Sequence, residues 1–161
     1  MSFGHDDDDM TEVNYKMDEL ERLVLNHRFT LNKMRTNIGG KVGYFGTRRK
    51  PFLIKGVYSN SVKNGRMLEL VQGMLPDAGI TELCLNRNVV CIPHKDKGNY
   101  GPSWILFIGT FQGGGLCFET GERYEQTGIW HGPFFGAEVT HWNEPITSGT
   151  KYAVVAYSRL K

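Results

Sequence analysis

A chain of 161 residues is long enough for one domain with a buried core, and 40% hydrophobic against 22% charged residues is the balance of an ordinary globular protein. The net charge of +2 permits a nucleic-acid partner without arguing for one, because dedicated binding modules concentrate their basic residues. No apolar run approaches the roughly 18–20 residues that a bilayer span requires, and Met1 to Met10 are too polar and acidic for a signal peptide. The expectation is a soluble intracellular protein, cytoplasmic or nuclear, with no membrane partner.

In chain order, residues 1–12 read as a disordered acidic tail, because His5 is followed by four consecutive aspartates. Residues 13–161 read as a single domain. Within it, Leu20, Leu23, Val24 and Leu31 set a helical period across Tyr15 to Asn32. Asn37 to Pro51 is glycine-rich and aperiodic, a loop or loose hairpin whose Arg48, Arg49 and Lys50 are candidate contacts to a nucleic-acid backbone. Arg66 to Leu75 predicts a second, short helix closed by Pro76 and Gly79.

From Glu82 onward the pattern changes to short β-rich runs between Gly, Pro and Asn turns: ELCLNRNVVCI, SWILFIGTF, GLCFET, GIWHGPFF, AEVTHW and KYAVVAYSR. No helix-length segment separates them, which excludes a parallel βαβ sheet and predicts a β-sandwich or barrel behind two N-terminal helices. Gly113, Gly114 and Gly115 lie between two strands. A phosphate-binding loop would lead into a helix, so they predict a tight strand reversal. Cys84, Cys91 and Cys117 are odd in number and form no CxxC pair, which points to reduced thiols.

The chemistry is concentrated at His94-Lys95-Asp96. In an extended chain, residues i and i+2 share one side, so His94 and Asp96 reach one ion while Lys95 points away. Imidazole plus carboxylate suits a borderline divalent metal such as iron(II). A third ligand comes from His141 or His131. His141 precedes a turn built from Pro145, Ser148 and Gly149 and a strand opening at Lys151, so a strand returning beside it would bring a cation toward an oxo-acid held on the metal. His131 sits in GIWHGPFFG, with no comparable cation after it. Aromatic residues crowd these motifs. Tyr100 and Trp130, each beside a glycine in an expected loop, are candidates to line a substrate pocket.

The run LNRNVVCIPHKDKGNYGPSWILFIGTFQGGGLCFE, followed by VTHWNEPITSGTKYAVVAY, resembles the iron(II)/2-oxoglutarate oxygenase superfamily. The likeness spans Leu85 to Tyr157. It is nearest to small phage, viral and algal members and to the TET/JBP group that oxidises the methyl of a pyrimidine base. It implies a mainly β fold, a double-stranded β-helix (jelly-roll) core with N-terminal helices. It also implies Fe(II), the co-substrate 2-oxoglutarate and O2, with ascorbate as an in vitro reductant. On this resemblance His94, Asp96 and His141 match the metal ligands and Lys151 the anchor of the distal 2-oxoglutarate carboxylate, a position usually held by Arg. Asn86 and Asn88 fall where some relatives contact 2-oxoglutarate. Ala153 stands where many have a second hydroxyl contact, which Thr147, Ser148 or Thr150 would have to replace. The implied substrate is thymine or 5-methylcytosine in nucleic acid, with DNA or a nucleobase as partner. A prolyl-type protein hydroxylase and a metal-binding scaffold without turnover are the alternatives.

Overall fold

The computed structural model describes residues 3–27, 29–31, 44–45 and 62–159. Helix α1 (Phe3–Leu25) leads into a two-residue strand pair, β1 (Thr30–Leu31) with β2 (Tyr44–Phe45), and then into helix α2 (Val62–Met74). Seven strands follow: β3 (Glu82–Arg87), β4 (Ser103–Gly113), β5 (Leu116–Phe118), β6 (Arg123–Tyr124), β7 (Trp130–Phe134), β8 (His141–Asn143) and β9 (Ile146–Tyr157). They form two antiparallel sheets, a larger one ordered β3-β9-β4-β7 and a smaller one ordered β6-β5-β8. This is the β-sandwich behind N-terminal helices expected from the strand spacing, and it matches the jelly-roll core that the resemblance implies.

Period-two alternation gives each face of the larger sheet a separate function. Leu83 and Leu85 of β3, Leu106 and Ile108 of β4, and Val154 and Ala156 of β9 point outward. They pack in one buried cluster with Leu20 and Val24 of α1 and Met67, Leu70 and Val71 of α2. Leu20 and Val24 are one helical turn apart, which is why α1 buries a stripe. A bidentate ion pair from Arg66 to Glu19, at 2.7 and 2.8 Å, ties the two helices at the surface. The opposite face carries Ile105, Phe107 and Ala153, which meet Leu116 and Phe118 of the smaller sheet and Phe134 of β7.

Three expectations are revised. The first helix takes in residues 3–12, assigned above to a disordered tail, and ends at Leu25 rather than Asn32. An acidic run is compatible with the first turns of a helix because the positive end of the helix dipole lies there. Strand β9 opens at Ile146, so Lys151 lies mid-strand and not at its start. It also does not return beside His141, because β8 pairs with β5 whereas β9 pairs with β3 and β4 in the other sheet. Arg48, Arg49 and Lys50 lie outside the described residues. Among the described residues, no helix is long and apolar enough to cross a membrane.

Candidate active site

His94 and His141 face each other in an isolated antiparallel bridge, each backbone N–H donating to the other's carbonyl at 3.0 Å. A residue pair of this kind presents both side chains on one side, and the two imidazole rings stand 4.4 Å apart. Asp96 joins them from two residues beyond His94. One of its carboxylate oxygens is 3.0 Å from His141 Nε2 and the other 3.4 Å from His94 Nε2. The Asp96 backbone N–H donates to Gly136 O at 2.8 Å, and a Cβ at Gly136 would come within 3.2 Å of the Asp96 carboxylate. Glycine at that position therefore keeps the carboxylate's approach open, a role the sequence did not announce.

Both histidines are fixed in the same tautomer. His94 Nδ1 lies 2.6 Å from Ile92 O and His141 Nδ1 2.8 Å from Val139 O. A carbonyl only accepts, so both Nδ1 atoms donate and both Nε2 atoms direct their lone pairs into the cluster. One ligand atom from each of His94, Asp96 and His141 lies within 4.8 Å of the others. Two neutral imidazoles and one carboxylate, converging from one side with oriented lone pairs, fit a borderline divalent cation such as iron(II) and leave the other side open.

These three side chains open onto a cavity of about 330 Å³ whose floor is the inner face of the larger sheet. Alternate residues of β9 and its continuation line it, from Lys151 through Ala153, Val155 and Tyr157 to Arg159. Lys151 is 3% exposed, and its Nζ donates to Gly114 O and lies 4.7 Å over the Phe107 ring. Burial lowers its pKa to about 8, against longer-range raising effects of Cys91, Cys117 and Glu144. Among the described residues no carboxylate lies within ion-pair distance of this ammonium. A buried cation with one neutral acceptor has unmet capacity for an anion.

The glycine run makes this arrangement possible. Gly113 and Gly114, both at φ +73°, turn the chain from β4 of one sheet to β5 of the other. A Cβ on Gly114 would lie 3.1 Å from Lys151 Cδ, so a side chain there would displace the lysine. Arg123 packs over Gly115 and pairs with Glu144, whose backbone N–H donates to Gly115 O at 2.9 Å, bracing the turn from outside.

The remaining candidates divide. Asn86 and Asn88 both line the cavity. Asn88, at φ +54°, directs its side-chain oxygen to the Lys151 backbone N–H at 2.8 Å and its own N–H to Lys151 O at 2.8 Å, so it positions the lysine. Trp130 is displaced from its expected place. It pairs with Leu106 and so shares the outer face, packed on the helical cluster, because strand parity governs its direction. Tyr100 is 61% exposed and does not line the cavity. His131 stacks on Tyr124, donates Nε2–H to Gln126 O at 2.7 Å and stands apart from the metal cluster. Thr147, Ser148 and Thr150 do not line the cavity, so none stands in for the hydroxyl missing at Ala153. Cys91, Asn143, Lys97 and Arg159 line it without having been singled out. For Arg159 the signal was available, because it lies eight residues, an even number, beyond Lys151 on an extended chain.

Two facing antiparallel sheets with a His-Asp-His cluster at one opening define the double-stranded β-helix class of metal-binding folds. Solved structures with this architecture include a 2OG-Fe(II) oxygenase family oxidoreductase from Burkholderia pseudomallei, with TM-score 0.51 and 13% identity over 88% of this chain and 77% of that one. A prolyl hydroxylase from Trichoplax adhaerens, solved with a hypoxia-inducible-factor peptide fragment, gives TM-score 0.51 and 13% identity over 90% of this chain and 79% of that one. NgTET1, solved with 5mC DNA, gives TM-score 0.43 and 24% identity over 50% of this chain, which spans 34% of that protein's length. No protein-family model matches the chain, and no curated protein matches it by sequence. The chain has the fold of the 2-oxoglutarate/Fe(II) oxygenases.

Proposed function

We propose that this chain is an Fe(II)- and 2-oxoglutarate-dependent dioxygenase that hydroxylates a C–H bond. His94, Asp96 and His141 are its metal ligands, and Lys151 anchors the distal carboxylate of 2-oxoglutarate. The observation that carries this reading is the presence, in one cavity, of a three-ligand cluster with oriented lone pairs and a buried lysine with no ion-pair partner among the described residues. Bound iron, with 2-oxoglutarate and O2, supplies the oxidising chemistry. The chain's own residues do the rest. Ile92 O and Val139 O hold the imidazoles in the ligating tautomer. Asn88 fixes the backbone of Lys151, and Phe107, Leu116 and Phe134 exclude water from the interior.

The test is succinate formation from 2-oxoglutarate with iron(II) and ascorbate, comparing the native chain with His94→Ala. Turnover that disappears in the variant supports the reading. No turnover in either, together with no binding of Mn(II) or 2-oxoglutarate, replaces it with a scaffold.

For the substrate, the methyl of a pyrimidine base is the first reading, supported by the resemblance over Leu85 to Tyr157. A prolyl-type protein substrate is the second, favoured by Lys rather than Arg at the anchor. Mass spectrometry after incubation with thymine- or 5-methylcytosine-containing DNA and with proline-rich peptides separates them. A one-oxygen mass gain on peptide alone overturns the first.

A further inference from the structure

The Lys151 ammonium is buried, and the carboxylate whose charge reaches it stands at the surface. From β4 the ammonium meets the Phe107 and Phe111 rings, 4.7 and 6.0 Å away. Burial lowers its pKa, and the Cys91 and Cys117 thiols and Glu144 act in the opposite direction. Thiols carry charge only when deprotonated, so at neutral pH Glu144 is the fixed negative charge of this set. Glu144 lies on the link between β8 and β9, with its side chain 39% exposed.

A single peptide unit joins the two. Lys151 Nζ donates to Gly114 O. The N–H of that same peptide belongs to Gly115, and it donates to the Glu144 carboxylate. The Gly114–Gly115 bond is trans, so its C=O and N–H point opposite ways. The negative end of the peptide dipole therefore meets the ammonium, and the positive end meets the carboxylate. Each charge stabilises the orientation that serves the other. Two further bonds fix the plane. The Gly114 N–H donates to Pro145 O at 3.0 Å, and the Glu144 N–H donates to Gly115 O at 2.9 Å. Arg123 lies across Gly115, where a Cβ would come within 2.8 Å of the guanidinium, and donates Nε–H to Glu144 at 2.9 Å. Arg123 first, and then the Gly115 N–H, hold the Glu144 carboxyl below the usual carboxylate range.

We propose that Glu144 is a positioning residue for the co-substrate anchor, acting through the Gly114–Gly115 peptide as the remote counter-ion of Lys151, with Arg123 setting how much of that charge is felt. On the oxygenase reading, on which this inference rests, Glu144 keeps the ammonium charged and in place for the distal carboxylate of 2-oxoglutarate.

The experiment follows Lys151 by NMR against pH in the full chain, with lysine isotopically labelled at Cε and no metal or co-substrate added. The Lys151 signal is the one absent from Lys151→Met. Glu144→Gln keeps the size and loses the charge, so the Lys151 midpoint should fall by roughly half a pH unit. Arg123→Gln releases Glu144 from its partner and should raise the midpoint by about the same amount. A merely structural brace does not give opposite signs, because loosening the turn would hydrate the ammonium and raise the midpoint in both variants. Glu144→Ser, shorter and also uncharged, reads the same fall should Glu144→Gln fail to fold. Calorimetry with Mn(II) in place of iron should show Glu144→Gln binding 2-oxoglutarate roughly 2- to 13-fold more weakly, with Mn(II) affinity unchanged. A midpoint that stays put in both variants, or moves the same way in both, overturns the proposal. Native 2-oxoglutarate affinity in Glu144→Gln also overturns it. Opposite shifts in a chain whose native form binds no 2-oxoglutarate uphold the coupling and count against the oxygenase reading alone.

Discussion

Replacing Lys151 with methionine should make the protein more stable and, on the proposed function, less able to bind 2-oxoglutarate. Lys151 is 3% exposed, and burial lowers its pKa from 10.5 to about 8. At about 1.4 kcal/mol per pKa unit, keeping it charged costs the folded state about 3 kcal/mol. Methionine fills similar volume without charge. It forfeits the bond to Gly114 O and the contact over Phe107, together about 1–2 kcal/mol. A net gain of about 1–2 kcal/mol remains at pH 7, worth roughly 2–4 °C in Tm per kcal/mol for a chain of this size. The pH dependence has a definite sign. Below pH 8 the lysine is protonated folded and unfolded, and the full cost is present. Between 8 and 10.5 the unfolded chain binds more protons, so native stability rises with pH, and the Lys151→Met variant lacks that rise. Loss of a charge-assisted contact should weaken 2-oxoglutarate binding by about 1.5–3 kcal/mol, roughly 10- to 150-fold in Kd. Thermal melts across pH and calorimetric titration with Mn(II) in place of iron test both halves. A variant that melts below the native chain at pH 7, or that binds 2-oxoglutarate with native affinity, refutes the reasoning.

Gly114→Ala places a Cβ 3.1 Å from Lys151 Cδ at φ +73°, so it should cost at least about 1 kcal/mol in chemical denaturation and raise the Kd for 2-oxoglutarate. Asn88→Ala removes the acceptor of the Lys151 N–H. It should weaken 2-oxoglutarate binding several-fold and leave Mn(II) affinity unchanged, as calorimetry would show. Asp96→Asn keeps the size of the ligand and loses its charge, so metal affinity by equilibrium dialysis should fall by at least about 10-fold while the fold persists by circular dichroism. Leu106→Ala, at a fully buried position on the helix-facing side, should cost about 2–5 kcal/mol in denaturant unfolding without changing the Kd for 2-oxoglutarate of the fraction still folded.

What the sequence disclosed followed the range of each interaction. Residues 94 and 96 share a side because the chain is extended, and that is readable from two positions. Their meeting with His141 depends on a bridge across 47 residues, which spacing alone did not contain. The long strands β4 and β9 announced themselves by apolar content, whereas β6, the two residues Arg123–Tyr124, carries no period and was missed. Trp130 was misplaced because being beside a glycine says nothing about parity. Its pairing with Leu106 decides which face it joins. Lys151 was singled out and does line the cavity, but the path to it was wrong. The lysine sits mid-strand in the opposite sheet and faces the metal side across the sandwich interior instead of from a neighbouring strand.

The alternation along β9 has a consequence for how this protein tolerates change. Tyr152, Val154 and Ala156 face the helices, while Lys151, Ala153, Val155 and Tyr157 face the cavity. Folding stability and the chemistry of the cavity are therefore written on interleaved positions of one strand. Variation at one set changes how well the sheet packs on the helices, and variation at the other, one residue away, changes what the cavity can hold.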